Sequence, residues 1–341
     1  MTRTTAPRPV DIAAVIPALA PLARTATRLH PRPGSPSCYD SSVGGPLLWP
    51  AGEPWPHCHD PHWGEVMSLR QARSKRQDAV CDEAALSEDD YQWKNTPEDL
   101  AKFQQLYDPD PVLPEGPIAM LPIAQLYVRD VPGLRAPAGK DLLQVLWCPF
   151  EHDEYLIPKT VVVWRSAAMV TDILADPPEP AVVQDGLGQF VPEPCTIAPE
   201  QVTEYPRSSE LDDHLQQQLQ QWEAAYLGID VEDLGEIESP YNSDLSVAPG
   251  WKIGGWIGWH GSGPWVEPCP GCGEPTEPLL TIASWERDGA QHSWVPDEDR
   301  PDMLAGGNGC PTKINIGDAW DLVICACAAS PDHPHVPNLL S

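Results

Sequence analysis

VGGPLLWPAGEPWPHC at 43–58 and IGGWIGWHGSGPWVEPC at 253–269 read as two versions of one phrase. Each sets an aliphatic residue before Gly-Gly, continues into a Trp-rich loop and ends in Cys. Gly44–Gly45 thus answers Gly254–Gly255, and Cys58 answers Cys269. The match continues downstream. MLPIAQL (120–126) corresponds to LLTIASW (279–285), and DLLQVLWCPFEHD (141–153) to WDLVICACAASPDHP (320–334). That alignment puts Cys148 on Cys327 and leaves a His close behind each. Ordered matches of this kind are improbable by chance, so the chain reads as an internal duplication. Two small sheet units, each with one half-exposed face, would bury those faces on one another.

The expected fold is therefore α+β: two related β-rich halves with N-terminal and central helices. Residues 1–40 form an N-terminal helix and lead-in, and 41–165 the first repeat half, with a helical insertion at about 64–115. A linker and amphipathic helix occupy 166–240, and 241–341 is the second half with a Cys-rich metal site. The 42 Pro fall between short apolar runs. Proline cannot donate to a ladder, so short strands and long connections are expected rather than a helical bundle.

Individual elements follow from local pattern. Asp11 to about Thr27 reads as a capped helix bent or broken at Pro17 and Pro21, followed by a basic strand-like segment at Leu29-His30-Pro31-Arg32. Thr96 and Pro97 open a helix carrying Leu100, Phe103, Leu106 and Tyr107 on one face. Ser209–Leu227 is the clearest helix, with Leu211, Leu215, Leu219, Trp222 and Tyr226 at helical spacing and Gly228 to end it. The DPPEPAVVQDG stretch and residues 190–207 read as loops; 142–148, 160–164 and 321–327 read as buried strands.

Charge narrows the choice of partner. With 50 acidic against 21 basic residues the net charge is −29, which repels phosphate backbones and anionic lipid. Direct nucleic-acid and membrane-surface binding are disfavoured, and a basic protein partner would be suited. No secretory signal or bilayer-length apolar run is visible, so a cytoplasmic location is expected. The 10 Cys then read as thiols or metal ligands rather than disulfides.

Cys269-Pro-Gly-Cys272-Gly is a knuckle, in which Pro and Gly tighten the turn so that two sulfurs can point at one ion. A tetrahedral zinc needs two more ligands. Cys327 ends the matching strand and His333 or His335 follows, while Cys325 shares the face of Cys327 by the strand period. The preferred set is Cys269, Cys272, Cys327 and His333, with Cys325 as substitute for His333; the alternative is a group of buried thiols that only pack. In the first half Cys58, His62, Cys148 and His152 would make a Cys2His2 site, or else an ordinary His-rich loop. A Cys148–His152 nucleophile–base pair oriented by Glu151 or Asp153 is conceivable. No phosphate loop, nucleophile elbow or HExxH occurs beside it. Trp49, Trp55, Trp63, Trp251, Trp256, Trp259 and Trp265 are core or loop staples, or alternatively line a ligand groove.

SSVGGPLLWP with PIAQL, and GWKIGGWIGW, CPGCG, LLTIASW and GDAWDLVICAC…DHP, together resemble the YwqG-like family of uncharacterised bacterial proteins, over most of residues 40–335. The resemblance implies a duplicated α+β fold and supplies no reaction or catalytic residues. It also implies an immunity-type role, since some relatives sit beside toxin systems. The long first-half insertion and the cysteine enrichment depart from the simplest members. The expectation is thus a non-enzymatic, zinc-stapled protein whose acidic surface engages and neutralises a basic protein. The alternative is a metal- or cysteine-dependent enzyme using the first-half Cys/His cluster.

Overall fold

The apolar runs become strands. In chain order these are β1 (Arg24–Arg28), β2 (Arg32–Pro33), β3 (Ser42–Val43), β4 (His57–Cys58), β5 (Val66–Ser68), β6 (Ile118–Ala119), β7 (Leu121–Tyr127) and β8 (Leu142–His152). They continue with β9 (Ile157–Arg165), β10 (Val182–Gln184), β11 (Cys195–Thr196), β12 (Glu200–Glu204), β13 (Lys252–Gly254), β14 (Thr276–Ala283), β15 (Asp321–Cys327) and β16 (Val336–Leu340). The α-helices are α1 (Ile12–Val15), α2 (Leu69–Asp78), α3 (Asp213–Leu227) and α4 (Arg300–Leu304). The computed structural model describes residues 3–78, 112–152, 157–185, 189–259, 264, 266–287, 292–304, 309–317 and 319–340. The helix expected at Thr96 lies outside them.

Among the described residues two antiparallel six-stranded sheets carry the fold. One is ordered β2-β11-β3-β7-β8-β9 and the other β12-β1-β13-β14-β15-β16. In each, the third strand runs into Gly-Gly. β7 and β14 follow it, and the β7–β8 and β14–β15 pairings each contain a register shift. Strands from the lead-in and from the 166–240 stretch enter both sheets. β1 sits between β12 and β13, and β11 sits between β2 and β3.

The period of two on β8 and β15 divides the interior into layers. Leu143, Val145 and Trp147 join Leu322, Ile324, Leu280, Ile282 and Ile253 in one core shared by the two sheets. The opposite face of β8 places Leu146, Cys148 and Phe150 against Leu47, Trp49, Trp55 and Cys58, so the first Trp loop covers that sheet from outside. Val323 and Cys325 meet Ile257, Trp259 and Val336 in the same way. A smaller core joins Ile12, Ile16 and Leu19 to Leu215 and Leu219 of α3.

Several local expectations change. The N-terminal helix is only α1, capped by the Asp11 side chain. Pro17 opens a 3-10 turn, and Thr25 and Thr27 belong to β1. Two prolines strip donors from the segment, and the β-branched threonines suit a ladder. Residues 190–207 are not all loop, since β11 and β12 lie there, and Val182–Gln184 pairs with β5 as β10. α3 keeps its expected end, with Gly228 in the left-handed region (φ 72°); its start moves to Asp213, capped by Asp212.

Candidate metal centres

Both Cys/His sets anticipated from the repeat are assembled in space. In each, the ligand atoms lie within 4.8 Å of one another: Cys58, His62, Cys148 and His152 in the first half, Cys269, Cys272, Cys327 and His333 in the second. Both sit on the outer faces of their sheets, where β8 and β15 end.

The first centre depends on a bulge. Two residues four apart on a straight strand are separated by about 13 Å, too far for their side chains to meet at one point. Between Trp147 and Glu151 the register slips, so that Trp147 opposes Thr160 while Glu151 opposes Pro158. Pro149 lies inside that slip, where a missing N–H does no harm to the ladder. The contraction lets Cys148 and His152 converge. Across from them, β4 pairs with β6 and delivers Cys58. His62 Nε2 lies 3.1 Å from Cys148 Sγ, and Cys58 Sγ lies 3.6 Å from His152 Nε2. Phe150 packs on His62 (4.8 Å between ring centres), and an Asp60–Lys159 ion pair at 2.5 Å lies beside the site. Burial pushes the Cys148 thiol up, with the nearby Cys58 adding to the rise. His62 is lowered by burial and by repulsion from His152.

The second centre is built by the knuckle. Gly273 N–H donates to Cys269 O (2.8 Å) and Cys269 N–H to Glu274 O (2.8 Å), with Gly273 at φ 77°. Gly271 N–H donates to Cys269 Sγ at 3.3 Å, as expected of a turn whose amides face thiolates. Ala328 N–H donates to Pro275 O, tying the knuckle to the end of β15. His333 Nδ1 lies 3.3 Å from Cys327 Sγ and 3.7 Å from Cys269 Sγ, and Cys272 Sγ lies 3.5 Å from Cys327 Sγ. Desolvation works to raise the Cys327 thiol. Amide donors at Ser330 and Ala329, with His333 and Cys272, outweigh it and bring the thiol down to about 6. Cys272 has Glu274's backbone amide pulling it down, yet burial and its sulfur neighbours leave it at about 11.

These separations of 3.1–3.7 Å are close to those expected around a small metal ion such as zinc. Ligands 2.0–2.3 Å from a tetrahedral ion stand about 3.3–3.8 Å from each other. Four donors of the right softness are present in each set: two thiols with two imidazoles, and three thiols with one imidazole. Neither alternative fourth ligand joins the second set. Cys325 is buried beside Asn338, whose Nδ2 approaches its sulfur at 3.4 Å, and His335 faces Thr160 Oγ1 at 3.0 Å.

The other readings of these residues fare less well. Glu151 exchanges hydrogen bonds with Gln184, its amide donating to Gln184 Oε1 and its carboxylate accepting from Gln184 Nε2. It is therefore committed elsewhere than to orienting His152; Asp153 lies outside the described residues. Trp49, Trp55, Trp251 and Trp259 are buried core, Trp256 is held by Arg24 across its ring, and Trp63 alone of the described loop tryptophans is largely exposed. They form staples rather than a lined groove; Trp265 lies outside the described residues. No helix among the described residues is long and apolar enough to cross a membrane. The chain matches no protein-family model and no curated protein.

Proposed function

We propose that this chain is a non-enzymatic binding protein, a duplicated α+β scaffold stapled by two zinc ions. Its acidic surface would engage and neutralise a basic protein in the cytoplasm. The observation that carries the zinc reading is that each cluster brings four potential protein ligand atoms within 4.8 Å of one another. A catalytic zinc keeps one position open for water, whereas a closed shell is structural. The duplication draws support from the matching order of the last four strands of each sheet and from the similar positions of the two Cys/His sets toward the ends of β8 and β15. The resemblance to YwqG-like proteins agrees with it and adds the immunity-type role.

Native mass spectrometry of protein purified without added metal tests the central point. The expected mass increment is that of two zinc ions per chain, lost together with folding on chelation. An apo mass for the folded protein would overturn the reading. A single ion would restrict the staple to one half.

A further inference from the structure

The two centres differ in how far their sulfurs are open to solvent. Cys58 and Cys148 are 1% and 0% exposed, shut in where the first Trp loop packs on Leu146 and Phe150. In the second centre Cys269 and Cys327 are also buried, but Cys272 is exposed, and Gly271, Gly273 and Glu274 beside it are exposed with it. The reason is local. The knuckle closes on itself, with Gly273 N–H donating to Cys269 O and Cys269 N–H to Glu274 O, so its tip holds its shape without a cover.

An exposed sulfur with a second sulfur against it has chemistry that a lone thiol lacks. Cys272 Sγ stands 3.5 Å from Cys327 Sγ, against about 2.05 Å in a disulfide, so a bond needs a closing movement of about 1.5 Å. That movement falls on the exposed turn and leaves the packed strand β15 in place. Susceptibility to oxidation follows thiolate character and access. A metal ion deprotonates every sulfur that it binds, so within a filled centre access decides. Access selects Cys272, and the sulfur in contact with it is Cys327.

We infer that Cys272 is an oxidation site for hydroperoxides and that Cys327 seals it as a disulfide. The Cys272 thiolate attacks the terminal oxygen of the hydroperoxide. An S–O bond forms, the O–O bond breaks, and the leaving oxygen takes a proton from solvent to depart as alcohol or water. The Cys327 thiolate then attacks the Cys272 sulfur. The S–S bond forms, the S–O bond breaks, and hydroxide leaves and is protonated to water. The two sulfurs have given up two electrons, and the peroxide has taken both. The consequence for the ion rests on the zinc reading above. Cys269 and His333 alone are too few for a structural site, so one zinc is released while the first centre keeps its own.

The test treats the full-length protein, as purified, with a few equivalents of hydrogen peroxide and then alkylates the remaining thiols. Peptide mass mapping locates the oxidised sulfurs, and native mass spectrometry counts zinc before and after. The first bridge is expected to join Cys272 to Cys327, with Cys272 lost to alkylation at least about tenfold faster than Cys58 or Cys148. One zinc per chain is expected to leave as the bridge forms, and dithiothreitol with added zinc to return it. The proposal is overturned if Cys58 or Cys148 is oxidised first, or if Cys272 stays reduced. It is also overturned if Cys272 goes to sulfinate unbridged, bridges to Cys269 instead, or bridges to Cys327 with both ions retained. Protein that carries no zinc before peroxide contradicts the staple alone, since the bridge is still read from the peptides.

Discussion

His30 pairs Glu200 through one nitrogen and is otherwise enclosed, and burial, with Arg28 nearby, lowers it to about 4. A group that titrates lower in the folded than in the unfolded chain leaves the unfolded state binding more protons between the two values. Its stabilising contribution is thus complete above about 6.5 and is lost as pH falls toward about 4. Glu200, lowered to about 2 despite the opposing effect of burial, adds a loss in the same direction below its ordinary value. Glu286, raised by burial, works the other way. The His30 share alone is on the order of 3 kcal/mol. Denaturant midpoints at pH 7 and pH 5 are expected to show wild type losing more stability than His30→Gln. Comparing the two proteins cancels zinc release, which acts on both. Equal losses would contradict the burial argument. Gly255 belongs to the same scale: a Cβ there would stand 2.3 Å from Glu204 Oε2, which accepts from Trp256 N–H, while Glu204 Oε1 accepts from buried Lys252. The Gly-Gly signature is thus required by a buried ion pair in the second half, for which the sequence offers no separate signal.

Elements explain what was legible and what was not. The strands at 142–148 and 321–327 announce themselves by apolar runs longer than a loop tolerates, and α3 by its helical spacing and terminal glycine. The ligand sets were legible because two similar stretches of sequence each carry the same Cys/His pattern. β11 and β12 were not, because short strands assembled from distant neighbours have no pattern of their own: β12 reads Glu-Gln-Val-Thr-Glu and owes its place to pairing with β1. The cavity lined by Arg28 and Glu286 escaped for the same reason, since the two residues meet only through the fold. One element-scale choice remains testable. Cys325 and Cys327 share a face of β15, but only Cys327 stands among the candidate ligands. Cys327→Ser is expected to lose one zinc per chain and several kcal/mol of stability, because metal binding and folding draw on the same free energy. Cys325→Ser is expected to keep both ions and lose about 1–2 kcal/mol from a poorly matched buried hydroxyl. Zinc loss from the Cys325 variant in native mass spectra would reassign the fourth ligand.

At the scale of the whole molecule the dominant quantity is charge, and the fold decides which part of it is available. Asp297, Glu298 and Asp299 form an acidic run in the sequence, yet they anchor the N-terminal segment. Asp299 pairs with Arg3 and Arg32, Glu298 accepts from the Thr4 amide, and Asp297 pairs with Arg300. Reversing them would loosen the scaffold and say little about a partner. Glu232 and Asp233, in the turn after α3, are exposed. They can face a cationic surface without losing internal contacts. Long-range attraction of this kind raises the rate of encounter and is screened beyond about 8 Å at 0.15 M salt. For a basic protein captured by this chain, association measured by surface plasmon resonance is expected to slow steeply between about 0.05 M and 0.5 M salt. Glu232→Lys with Asp233→Lys should slow association several-fold while changing dissociation little, since charges at the rim act on approach more than on the formed contact. A salt-independent on-rate, or a variant whose defect lies wholly in dissociation, would remove the acidic surface from the explanation. Zinc would then hold together a scaffold whose partner is chosen by shape.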